Sequence, residues 1–197
     1  TPLWNYARIL EDSVEDLAND DSAATRAVRE VKKQADDMTM TRSFMHLHLG
    51  IPKDGLPELE CHHSVLNFDF PVTDEQNMSI LSIPTVFDPS LAPEGYHIVH
   101  AYTAASDNFD EWAPFQEETG KVGSSPNSVT SQAYGKKAGY EELKAKKVEA
   151  LWKAVECVIP DVRERAKRPG SVVMIGTPLT HRRYNQRFRG TYGPGVN

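Results

Sequence analysis

The chain has 197 residues and a net formal charge of −6, with 39% hydrophobic and 25% charged residues. That is long enough for one sizeable core and too apolar for wholesale disorder. The acidic balance argues against nucleic acid as a partner, and no run reaches the roughly 18 apolar residues that a membrane-spanning helix needs.

The chain begins at Thr1 without a basic-then-apolar leader, so compartment is not readable from this end. The expectation is a processed product or a piece of something longer. Charge is uneven. Thr1 to Asp21 carries six acids against Arg8, whereas Asp161 to Asn197 carries eight arginines and lysines against two acids. The simplest reading is two solvated surfaces. The sharper one is a basic face that docks on anionic lipid or an acidic partner. Two cysteines, Cys61 and Cys157, make no disulfide framework and are expected as buried free thiols.

In chain order, Thr1 to Leu10, with Pro2 just inside its start and Trp4, Tyr6 and Ile9 along it, suggests a short docking segment, and Ser13 a helix cap. Ser22 to Met38 spaces Ala24, Ala27, Val28, Val31 and Ala35 as one narrow helical stripe. Residues 1–40 thus read as a helical extension and 41–197 as the main domain. From Thr41 to Ile51, Met45, Leu47 and Leu49 alternate with Phe44, His46, His48 and Gly50. Period two predicts a strand with the first set on its apolar face.

Leu59 to Phe70 is a second strand candidate. Ile80 to Phe87 and His97 to Tyr102 are two β-rich runs around Asp88 to Gly95, a segment dense in turn formers. They predict an antiparallel pair. Gly120 to Lys137 reads as an exposed insertion. Tyr140 to Ile159 is the strongest helix, with Leu143, Lys147, Leu151, Ala154, Val155 and Val158 along one side and Pro160 as its stop. Trp152 is expected to pack on the sheet. Val172 to Ile175 is a short strand. The fold class that follows is α+β, an antiparallel or mixed sheet packed with helices.

Chemistry-bearing residues are sparse. His46 and His48 project from one strand face, as two imidazoles for one metal would. Cys61, His62 and His63 would join them if the two strands paired. Without a third ligand at motif spacing the expectation is no metal and ordinary polar residues on a half-exposed face. There is no G-x-S-x-G, no G-x-G-x-x-G and no Walker A pattern. Ile175 to Gly195 gathers His181, four arginines, Tyr184, Tyr192 and a Gly-rich turn. Such a set can hold a carboxylate or phosphate, and it can equally be a solvated basic helix followed by a structural turn.

VVMIGTPLTHRRY (Val172 to Tyr184), with RGTYGPG after it, resembles the carotenoid isomerases of the prolycopene type. These are grouped with phytoene desaturases in the FAD-dependent amine-oxidase-like superfamily. SFMHLHLGI (Ser43 to Ile51), GLPELECHHSVLN (Gly55 to Asn67), SIPTVFDPSLAPEGYHIVHAYT (Ser82 to Thr103) and EALWKAVECVIPDVRERA (Glu149 to Ala166) resemble the same family in the same order. The resemblance implies the middle, substrate-domain part of a flavoprotein, with both FAD-contacting stretches outside it.

Two expectations follow. One is a non-catalytic binding or scaffolding subunit on a plastid, thylakoid-peripheral pigment–protein complex, with protein partners, carotenoid as a further ligand and no cofactor of its own. The other is a fragment of a complete FAD-dependent isomerase that converts cis to trans carotenes. In the second case His181, Arg183, Gly190, Thr191, Tyr192 and Gly193 would face cofactor or substrate. In the first, Arg182, Arg187 and Arg189 would form the docking surface.

Overall fold

The computed structural model describes residues 3–11, 21–116 and 138–195. The expected Ser13 cap and the whole Gly120 to Lys137 insertion lie outside them. Two helices open the chain, α1 (Leu3–Glu11) and α2 (Ala23–Asp36), and they pack on each other. Ser22 caps α2 by accepting the Thr25 N–H at 3.2 Å, which satisfies one of the orphan donors of the first turn.

The body is a five-stranded, wholly antiparallel sheet in the order β2-β3-β4-β1-β5. Its strands are β1 (His46–Pro52), β2 (His62–Leu66), β3 (Met78–Ser82), β4 (Tyr96–Thr103) and β5 (Val172–Gly176). The α+β expectation holds. The reversal between β3 and β4 is built as the sequence suggests. Asp88 accepts the Ser90 N–H, and Gly95 takes φ +83°.

Two strand limits differ from expectation. Ile80 to Phe87 does not run on as strand; Pro84–Phe87 is a helical turn, α3. Proline has no N–H for the ladder and a φ suited to the first helical turn, so the strand ends before it. The second strand candidate is trimmed at both ends. Asn67 accepts the Asp69 N–H at 3.0 Å, and Asn77 Nδ2 donates to the carbonyls of Asn67, Phe70 and Pro71. These side-chain bonds hold 67–77 as a loop in place of a ladder.

One face of the sheet is covered by α4 (Tyr140–Glu156), with α5 (Val162–Ala166) packed against β1. Val148, Leu151, Ala154, Val155 and Ile159 meet Met45, Leu47, Leu49, Ile51, Leu81 and Val99, all buried. Each fully buried aliphatic side chain contributes about 1.5–3 kcal/mol by leaving water. Trp152 is partly buried against this core, with the Arg163 guanidinium over its ring.

Lys147, on the same stripe, reaches Glu75 at 2.7 Å and Glu111 at 2.5 Å. Arg165 is buried and donates to the carbonyls of Pro52 and Asp54, both at 2.8 Å. Cys157 corrects the buried-thiol expectation: it caps the C-terminal end of α4 and is exposed, while Cys61 is half-buried.

The chain ends with α6 (Pro178–Asn185), a single 3-10 turn at Phe188–Gly190 and a tail that pairs back on the approach to β1. Thr41 N–H donates to Gly193 O, Tyr192 N–H to Arg42 O and Gly195 N–H to Thr39 O. That return lays residues 191–195 beside Phe44, on the sheet face that the helices leave open.

Candidate functional site

β1 and β4 are adjacent inner strands of the sheet, and both place rings on the face opposite the core. Alternation that buries Leu47 and Leu49 must turn His46 and His48 the other way. The register sets His48 opposite His100 and His46 opposite Tyr102. The row through His48 and His100 runs on to Ser82 in β3 and His62 in β2, where His62 Nδ1 and Ser82 Oγ are 3.0 Å apart. On the other side Met174 of β5 faces His48.

The rings lie flat against one another. His48 and His100 stack at 4.2 Å, His46 and His100 at 4.7 Å, and His100 and Tyr102 at 5.1 Å. His46 Nδ1 and His100 Nε2 share a hydrogen bond. α6 closes one end of the row. Thr177 caps it in a capping box with Thr180, Pro178 occupies its first turn, and His181 is set down on Phe44 at 4.0 Å and on His46 at 4.7 Å. His181 is 8% exposed. The Nε2 atoms of His46 and His181 are buried without a hydrogen-bond partner among the described residues.

These imidazoles are uncharged near neutral pH. Burial, with His181, His100, His48 and Arg187 nearby, takes His46 down to about 2. Burial, then His48, takes His100 to about 4; burial, then Arg187 and His48, does the same for His181. Burial also lowers His48. A neutral ring is a flat, weakly polar surface that keeps one lone pair on nitrogen. The arrangement can therefore take a flat apolar ligand by stacking or a metal ion by nitrogen ligation.

No protein-family model matches the sequence. Known proteins do. Over 156 residues the chain is 37% identical to the chloroplastic prolycopene isomerase of Daucus carota, covering 77% of this chain and 21% of that protein. Over 159 residues it is 35% identical to the chloroplastic prolycopene isomerase of Arabidopsis thaliana, covering 77% and 22%. The chloroplastic prolycopene isomerase 2 of an Oncidium hybrid cultivar gives 35% over 156 residues, with the same coverage. The chain is homologous to one segment of the prolycopene isomerases. It spans about a fifth of the length of the relatives it matches.

Within this carotenoid-isomerase-like segment the expected site residues divide. His181 joins the ring cluster. Tyr192 is exposed and meets the Phe44 ring edge-on at 5.0 Å; burial and Tyr192 together hold the Tyr102 phenol above its usual range. Thr191 and Gly193 build the tail: Thr191 is buried and its hydroxyl donates to Thr41 O at 2.7 Å, and Gly193 N–H donates to Thr41 Oγ1. Gly190 has φ +59°, and a Cβ there would lie 2.4 Å from the Pro178 carbonyl oxygen. Arg183 is half-buried on α6, its guanidinium over the Tyr184 ring.

Of the arginines considered for docking, Arg187 donates to the carbonyls of Thr191 and Tyr192 and lies over Phe44. Arg189 pairs with Asp110 and lies over Phe109. Arg182 is half-buried on α6. The combination of His46 and His48 with Cys61, His62 and His63 does not form, because β3 and β4 separate β1 from β2.

The ring partners that sequence reasoning missed are His100, Tyr102 and Phe44. All three stand at alternate positions of strands already recognised as such, and that alternation was the available signal.

The resemblance implies FAD, whose pyrophosphate favours a helix start with free backbone N–H groups. At the β5–α6 junction Thr177 takes the Thr180 N–H and Pro178 has no N–H to offer. That helix start leaves no cradle for a pyrophosphate. The start of α6 therefore does not fit the dinucleotide end of FAD.

Proposed function

We propose that this carotenoid-isomerase-like segment is a non-catalytic binding module of the plastid. It holds a carotenoid, and through it the surface of a pigment–protein complex at the thylakoid, as a scaffolding subunit. The observation that carries the reading is the asymmetry of the sheet: α4 and α5 cover one face, and the other presents His46, His48, His100 and Tyr102 as adjoining flat rings, with Tyr192 beside them against the buried Phe44. Val172 and Met174, 52% and 62% exposed, form an apolar rim beside them.

A conjugated polyene is flat and apolar, and uncharged rings accept it by stacking and by excluding water. The relatives are named prolycopene isomerases and chloroplastic, which supports both the ligand class and the compartment.

A second reading is that the same face lines the substrate site of an FAD-dependent isomerase. The 37% identity to a prolycopene isomerase favours it. In that case the flavin supplies the redox chemistry, and this segment positions the polyene.

The 197-residue chain is mixed with poly-cis lycopene and, in parallel, with thylakoid vesicles. Polyene binding and vesicle retention are expected, and loss of both overturns both readings. The two readings separate on the polypeptide isolated from its source, assayed for bound FAD and for isomers by chromatography. No FAD and no isomerisation are expected; FAD on the same polypeptide with conversion of poly-cis lycopene to the all-trans form overturns the first reading in favour of the second.

A further inference from the structure

We propose that His46, His48 and His100 form a three-imidazole site for a divalent ion of the Zn²⁺ class, with a fourth position open to solvent. One nitrogen from each ring lies within 4.8 Å of the others. Three neutral imidazoles are a donor set that suits Zn²⁺, Co²⁺, Ni²⁺ or Cu²⁺ and not Mg²⁺ or Ca²⁺, which prefer oxygen. Three protein ligands with one position left over is the form that zinc takes where it binds an exchangeable group.

The scaffold is rigid where it must be. His46 and His48 stand on the central strand of the β4-β1-β5 ladder, and His100 is held opposite His48 by backbone pairing, so all three Cβ positions are fixed. The approach is already close. Zn–N bonds of about 2.0–2.1 Å in a tetrahedron set the nitrogens about 3.3 Å apart, and His46 Nδ1 and His100 Nε2 are in hydrogen-bond contact. An ion takes the place of the proton that those two nitrogens share; the donating ring gives that proton to solvent and takes one up at its other nitrogen, so both rings bind as neutral imidazoles.

His48 has the farthest to come, because its ring plane is parallel to the other two. It is the exposed member, and its χ2 is a soft torsion.

None of the three ligands is acidic, and the Arg187 guanidinium acts on His46 from nearby. The bound ion would keep its positive charge, so its fourth ligand is an anion such as hydroxide or a carboxylate.

The experiment is calorimetric titration of the chelator-treated 197-residue chain with Zn²⁺, with Co²⁺ as a visible-absorption probe. One saturable equivalent is expected, with cobalt bands of tetrahedral intensity. His48→Ala and His100→Ala should each weaken binding about tenfold or more, while His62→Ala and His63→Ala leave it unchanged. Circular dichroism controls for folding, and His48→Ala, at an exposed position, decides the matter alone if His100→Ala is unstable. No saturable Zn²⁺ binding, or binding that survives the double variant His48→Ala/His100→Ala, overturns the proposal. Polyene binding is not needed for either result.

Discussion

The two faces of this sheet are made by the same strands, yet they solve opposite problems. On the covered face the residues are mostly aliphatic, joined by Phe109, Trp112 and Tyr140, and interlocked with α4 and α5. On the open face they are rings that stack among themselves, with one imidazole–imidazole hydrogen bond among them and orphaned nitrogens at His46 and His181. The first pattern maximises area removed from water and leaves no chemistry. The second keeps lone pairs and flat surfaces at or near the solvent boundary, where they can receive something. Strand alternation makes the division cheap to encode: one run, MHLHL, specifies both faces at once.

The comparison breaks first at the core. Leu151 is fully buried between α4 and the sheet. Leu151→Ala should cost about 2–5 kcal/mol, because the lost transfer energy adds to the cavity left behind. Urea unfolding would read this as a lower midpoint at unchanged slope. A loss under about 0.5 kcal/mol would mean that α4 does not cover this face.

Next comes the hinge between the faces. At Gly190 both the positive φ and the approach of the Pro178 backbone exclude a side chain. Gly190→Ala should therefore cost about 1–3 kcal/mol and loosen α6 from the turn that follows it. The ring stack of His181 on Phe44 would loosen with it, visible as shifted imidazole resonances. Unchanged resonances would detach α6 from the site.

Much of the covered face was readable in advance, and less of the open one. Period two marked β1, and the spacing of Leu151, Ala154 and Val155 marked α4, because each pattern is local and repeats several times. His46 and His48 were visible as a pair for the same reason. Their third partner was not. His100 lies 52 residues beyond His48, and only the β1–β4 register brings the two together. Sequence proximity instead suggested β2, the next strand in the chain, while the sheet inserts β3 and β4 between them. Gly190 was visible as a turn residue, but the carbonyl it must avoid belongs to another element.

A smaller effect, confined to a pH window, tests how dry the covered side is. Asp107 is fully buried beside Thr103, on the core-facing side of β4, and accepts from Thr103 Oγ1 and from Gln76 Nε2. Burial raises its carboxyl from 3.8 to about 6, against the lowering by those two bonds. Between those values the folded chain holds a proton that the unfolded chain has released. Stability therefore falls as pH rises through that window and levels off above it. Asp107→Asn removes the titrating group and keeps one acceptor oxygen, which Gln76 Nε2 can still reach, so this fall should vanish from the pH dependence of the melting temperature. An unchanged profile would assign the slope to other groups.

The smallest expected change in stability falls on the open face, and there it is most informative. Met174 is 62% exposed at the rim, opposite His48. Met174→Lys should alter stability by no more than about 0.5 kcal/mol, yet it puts a charged, strongly hydrated group where the proposed polyene would lie flat. Vesicle retention and polyene binding should drop severalfold while the melting curve stays in place. If stability falls instead, this face is closed over by packing that the strand pattern does not reveal. If neither changes, the ligand does not cross β5, and the row from His100 through Ser82 to His62 is the remaining path across the sheet.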